Sequence, residues 1–268
     1  MFYLGTHKRH WVKTAGVPLF ISVRTWREGV TLPRATVRHA MDSSGFTEIQ
    51  KHGQWTVTPA QYVSEVRRVR DEVGLLDWAA PMDWMCEPAI IHGGWHGGQY
   101  FAGTHLSVAE HQHRTVDNFL HLRTLAPDLP IIPVLQGWEV SDYEHCADLY
   151  ARAGIDLPAE PIVGVGSVCR RQATAQAAAI ITTLATRGIA LHGFGFKTHG
   201  LGICGSSLTS ADSLAWSAHA RRRPPMPGHT HKNCANCQPY ALQWRTRALN
   251  GLSPWNQPTL ETSEGPKK

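Results

Sequence analysis

The sequence predicts an α/β fold, a TIM-type (β/α)8 barrel followed by a small C-terminal Cys/His segment. Short apolar runs alternate with amphipathic segments in βαβα order along most of the chain, which favours a parallel sheet over α+β architectures. Acidic or glycine-rich turns close several of those runs, and in such barrels chemistry collects at the C-terminal strand ends. The length, 268 residues with 42% hydrophobic residues, suits one barrel of roughly 250 residues.

Residues 18–23 form an apolar, partly β-branched run and read as a strand. A second strand is expected over 35–41, ending at Asp42. Thr58-Pro59 opens a helix, and Tyr62, Val63, Val66, Val69 and Val73 repeat at helical spacing to 73. A buried strand over 75–82 leads to Asp83, and a Gly- and His-rich loop follows over 92–105. Helices are then expected over 108–125, 143–153 and 173–187, interleaved with strands at 131–135, 161–165 and 191–195. The stretch 209–220 brings in Asp212. Beyond Arg221-Arg222-Arg223-Pro224-Pro225 the alternation stops, which divides the chain into a barrel (1–223), a Cys/His segment with a short helix at 240–249 (224–252) and a disordered tail (253–268).

Lys and Arg total 26 against 21 Asp and Glu, a balance of +5, which permits an anionic partner without requiring one. The six cysteines are scattered except for Cys234 and Cys237, so they form no dense disulfide framework. No leader pattern and no run of about eighteen apolar residues is present. The expected location is the cytoplasm.

Five segments carry the chemistry: Asp42-Ser43-Ser44-Gly45-Phe46, Asp83, Gln136-Gly137, Gly164-Val165-Gly166-Ser167 and Ala211-Asp212-Ser213. Asp-Ser-Ser-Gly is also ordinary turn chemistry, and no single segment is specific. Their order and spacing, from about Val37 to Cys237, resemble the tRNA-guanine transglycosylase family, closest to its short DNA-guanine relatives in phages and bacteria. The resemblance implies replacement of guanine by a 7-deazaguanine base, such as 7-cyano-7-deazaguanine, through a covalent aspartyl-nucleotide intermediate. It implies that Asp212 is the nucleophile and Asp42 the second catalytic carboxylate, handling the protons of the departing and incoming bases. Asp83 then reads the guanine edge and Gln136 its O6 side, while Gly137, Gly164 and Gly166 let backbone approach the base, with Ser43 and Phe46 alongside. Ser44, Trp138 and Ala211 depart from the family pattern, where Gly, Gly and Phe are usual.

The family's longer bacterial members bind zinc through Cys-x-Cys-x-x-Cys and a distant His. This chain has His229-Thr230-His231 and Cys234-Ala235-Asn236-Cys237, a set that suffices for structural zinc, with Cys204 as an alternative ligand. The short chain leaves no room for an added RNA-binding domain, so DNA is the expected polymer, with tRNA the alternative. Arg221, Arg222 and Arg223 are candidate phosphate contacts. Two other classes stay open: a metal-dependent hydrolase using His92, His96, His105, His111 and His113 with Asp42 or Asp212, and a non-enzymatic nucleic-acid binder.

Overall fold

The computed structural model describes residues 1–250; the expected tail at 253–268 lies outside them. Ten strands are present among these residues: β1 (Phe2–Gly5), β2 (Leu19–Ser22), β3 (His39–Asp42), β4 (Leu76–Ala79), β5 (Gly94–His96), β6 (Gln99–Phe101), β7 (Val134–Leu135), β8 (Val163–Val165), β9 (Leu191–Gly193) and β10 (Ser210–Ser213). Eight of them form one parallel sheet in the order β4-β3-β2-β1-β10-β9-β8-β7. A parallel bridge between Ala79 and Ile131 joins its two edges, with Ala79 N donating to Pro130 O (2.9 Å) and Ile132 N to Ala79 O (3.1 Å). The result is the expected TIM-type barrel.

Period-two alternation sorts the side chains. Tyr3, Phe20, Ala40, Trp78, Ile132 and Ile162 fill the barrel interior. Their neighbours Leu4, Ile21, Met41 and Ala79 point outward into the layer shared with the helices. Asp42, two residues past Ala40, and Asp212, paired in register with Tyr3, are thereby set on the inner face at the strand ends.

The helices start where local chemistry favours it. Thr58 and Gln61 close a reciprocal capping box with Pro59 at the first turn of Pro59–Arg68, and Ser107 and Thr174 cap Val108–Leu125 and Ala175–Thr186. A π-helical turn, Val69–Val73, continues the first of these to the predicted end.

Several expected boundaries move. Residues 35–38 and 80–82 lie outside strands, and the strand at β1 and the helix Gly45–His52 were not expected. The predicted loop over 92–105 contains the antiparallel hairpin β5–β6. Among the described residues no helix is long and apolar enough to cross a membrane.

Candidate active site

The C-terminal ends of the barrel strands enclose a cavity of about 320 Å³, within the range of ligand pockets. Asp42, Asp83, Glu87, Gln136 and Asp212 line it together with Ser43 and Gly166. Phe20, Phe46, Met85 and Phe194 supply apolar walls.

Asp42 ends β3, and its Oδ2 accepts the Ser44 N–H at 3.1 Å. Ser44 has φ 65° and contacts Ser22 Oγ through its hydroxyl. The left-handed conformation explains why glycine is usual here, and the hydroxyl contact gives this serine a local partner. Burial first, then repulsion from Asp83 and Asp212, pushes the Asp42 carboxyl up to about 7. It is poised to hold or release a proton near neutrality.

Asp83 is buried on the loop after β4. Its Oδ2 accepts from Gln136 Nε2 at 2.5 Å, and Ser43 Oγ lies 3.4 Å from its Oδ1. Burial raises this carboxyl to about 6, although the Gln136 hydrogen bond opposes the shift. Asp212 accepts the Gly195 N–H at 2.9 Å and lies 3.4 Å from His192 Nε2, both contacts falling on Oδ1. His192 is fully buried among Tyr3, Phe20, Trp78 and Phe194, and burial lowers its pKa despite Asp212. Its Nδ1 lies 2.8 Å from Ser210 Oγ, so a neutral imidazole can donate to Asp212 from Nε2.

Gly166 has no room for a side chain: an added Cβ would sit 2.2 Å from Gln136 Nε2. Gly164 and Gly137 do not line the cavity. Gly164 lies beneath the Phe194 ring, and Gly137 packs against Asp142 and Tyr143. The other two departures also lie off the cavity wall. The Trp138 ring carries the Arg171 guanidinium at 4.0 Å, and Ala211 belongs to the outer core. Arg221, Arg222 and Arg223 are exposed around the end of the helix Ala215–Arg221, and none lines the cavity. Arg170 lies nearer, 4.8 Å above the Phe46 ring and 5.7 Å from that of Phe101 in β6.

Sequence reasoning missed Glu87, His192 and the rim residue His7, and it named Ser167 within a motif without giving it a role. His7 follows the unrecognised β1, and the others gain meaning only when distant strands converge.

Beside the barrel, ligand atoms of His229, His231, Cys234 and Cys237 all lie within 4.8 Å of one another. His231 Nε2 is 3.1 Å from Cys234 Sγ and His229 Nδ1 is 3.5 Å from Cys237 Sγ, close to the roughly 3.6 Å that tetrahedral zinc with N and S ligands implies. The Met226 N–H also donates to Cys234 Sγ at 3.3 Å. This His2Cys2 cluster can hold a metal ion, and Cys204 is not part of it. Ser217 Oγ donates to Ala235 O at 2.9 Å, tying the cluster to the helix after β10, and Asn236 meets His7 at the cavity rim. The five histidines of the hydrolase alternative do not gather with Asp42 or Asp212; among the described residues the His2Cys2 group is the one that converges.

Barrel, carboxyl-lined cavity and adjoining Cys/His cluster together have the make-up of a tRNA-guanine transglycosylase-like enzyme. The family model DpdA, DeoxyPurine in DNA protein A, matches residues 1–264, and the chain belongs to that family. Its members are DNA-guanine transglycosylases, a class of transferase. No curated protein matches the chain.

Proposed function

We propose that this protein replaces guanine in DNA with a 7-deazaguanine base, such as 7-cyano-7-deazaguanine, through a covalent link between Asp212 and C1′. The observation that carries this is the meeting of Asp42, Asp83 and Asp212 around one cavity, each in a different environment. Asp212 Oδ1 is held by the Gly195 N–H, and no hydrogen bond to Oδ2 is seen among the described residues. Oδ2 attacks C1′ as the bond to guanine N9 breaks, and protonated Asp42 gives its proton to that nitrogen. The resulting Asp42 carboxylate takes the N9 proton of the incoming base. That base then displaces Asp212 from C1′ and restores the ionised nucleophile. Two displacements retain the configuration at C1′.

Asp83 accepts from the base N1–H and exocyclic amine, and Gln136 donates its second amide N–H to O6. Phe20, Phe46 and Phe194 exclude water from the ring faces. The nucleotide must leave the base stack to reach the strand-end carboxylates. Arg170 over Phe46 and the exposed Trp95 and Tyr100 of the β5–β6 hairpin offer cationic and stacking contacts for the surrounding strand. The ion proposed for His229, His231, Cys234 and Cys237 is zinc. Bound there, it has a structural role, holding the segment closed against the β10 helix.

Incubation with DNA and labelled guanine tests the reading. Label is expected in DNA, and nucleoside mass spectrometry after supply of 7-cyano-7-deazaguanine is expected to show the modified deoxynucleoside. Incorporation into tRNA with none in DNA, at matched low salt, would overturn the polymer assignment.

A further inference from the structure

Glu87 is a fourth carboxyl in the same cavity, and none of the steps above uses it. It is 6% exposed and directly precedes the helix Pro88–His92. Its Oε2 lies 2.8 Å from Ser167 Oγ, and that hydroxyl also lies 2.7 Å from Gln136 Oε1. Ser167 Oγ further accepts the Cys86 N–H at 2.8 Å. Gln136 in turn donates to Asp83 Oδ2 at 2.5 Å. A chain of four side chains therefore runs from Glu87 through Ser167 and Gln136 to Asp83.

Ser167 has one hydroxyl proton and two neighbouring acceptors that want it. An ionised Glu87 is the stronger acceptor and takes that hydrogen bond. Gln136 Oε1 then loses its donor inside a buried site, and the Nε2 hydrogen bond to Asp83 alone holds the amide against a flip. A protonated Glu87 resolves the conflict. Glu87 donates to Ser167, Ser167 donates to Gln136 Oε1, and the Gln136 NH2 is fixed toward Asp83 and the cavity. In that state each of these donors and acceptors has a partner.

We propose that Glu87 is a positioning residue: as a neutral acid acting through Ser167, it locks the Gln136 amide in the orientation that reads a 6-oxo purine. The flipped amide would set its oxygen against the base carbonyl. This deepens the base-exchange reading and rests on it for the identity of the base.

Burial raises the Glu87 pKa. The groups around Glu87 are Asp83 and Cys86 on its own loop, Cys169, Arg170 and Arg171 after β8, and Tyr143 on the helix Val140–Arg152. The Ser167 hydroxyl, where it donates to Glu87, and then the two arginines oppose protonation. Each also has a ring contact, Arg170 with Phe46 and Arg171 with Trp138.

Calorimetric titration of free guanine into the wild type, Glu87→Gln, Glu87→Ala and Ser167→Ala, at intervals from about pH 6 to pH 9, tests this. The glutamine variant donates an N–H to Ser167 at every pH, so it is expected to match wild-type affinity at low pH. It is also expected to lack the wild type's extra weakening at alkaline pH; ionisation of the base affects both proteins alike. Glu87→Ala and Ser167→Ala are each expected to weaken guanine about tenfold or more at all pH values, as loss of support for one charge-assisted hydrogen bond implies. Glu87→Gln as weak as Glu87→Ala would overturn the proposal, because an ionised glutamate would then be required. Guanine binding by the wild type that is weaker than that of Glu87→Gln across the whole range would overturn it too, because Glu87 would then be ionised where the base is read. Because the titration uses no DNA, a protein that binds guanine in this pattern yet exchanges none would refute the exchange reading alone.

Discussion

Replacing Asp42 with Asn should abolish exchange and at the same time stabilise the protein at alkaline pH. Asp42 rises from 3.8 to about 7 in the folded chain. The folded state therefore binds its proton more tightly than the unfolded state does. The sign follows: stability falls as pH climbs between these values, and the penalty is complete above about pH 7. A rise of that size corresponds to ~4 kcal/mol. Asp42 lines a cavity that admits water, so ~2–4 kcal/mol is the expected stabilisation by Asn at pH 8. At about 2 °C or more per kcal/mol in a chain of this size, the melting temperature of Asp42→Asn should exceed wild type by at least ~4 °C at pH 8. Near pH 3 the difference should nearly vanish, because the wild-type carboxyl is then protonated when folded and largely so when unfolded. Thermal denaturation followed by circular dichroism at both pH values checks this, with labelled-guanine exchange as the companion assay. An Asn variant less stable than wild type at pH 8 would refute the burial argument.

Gly166→Ala should push the Gln136 amide off Asp83, since the new Cβ has 2.2 Å to Nε2. Losing a hydrogen bond to a charged group, ~1.5–3 kcal/mol, predicts a KM for the base raised about 10- to 100-fold, read by steady-state exchange. Elemental analysis should find one zinc per chain, and chelation should lower the melting temperature and make Cys234 and Cys237 reactive to a thiol reagent; full stability without metal would remove the structural role. Joint replacement of Trp95 and Tyr100, 74% and 57% exposed, by Ala should weaken single-stranded DNA by ~1–3 kcal/mol per stacked base, measured by fluorescence anisotropy. Guanine binding should not change.

Legibility in the sequence followed how local each signal was. The βα alternation and the apolar runs leading to Asp42, Asp83 and Gln136 could be read because each depends on adjacent residues, whereas Asp212 was reached through the order of the motifs and its strand was not expected. Phe2–Gly5 was missed because three hydrophobic residues and a glycine give no alternation to distinguish a strand from any short apolar run. Gly45–His52 was hidden by its start, a serine in the left-handed region inside a segment that reads as a turn. The hairpin at 94–101 lay within glycines and histidines that mimic a loop. Within the site, Asp83 and Gln136 were each legible, but their hydrogen bond spans 53 residues of sequence. Ser167 and Glu87 are 80 residues apart, and no local pattern marks such a pair. Gly164 was placed beside the base because it shares a run with Gly166. The strand pleat instead turns it beneath Phe194.

The covalent role of Asp212 is tested most directly by intact-protein mass spectrometry after acid quenching of the enzyme with a guanine-containing oligodeoxynucleotide and no incoming base. A mass equal to protein plus the oligonucleotide less guanine is expected, with peptide mapping placing the adduct on Asp212 and Asp212→Asn forming none. An adduct on another residue, or an undiminished adduct and exchange in Asp212→Asn, would contradict the mechanism.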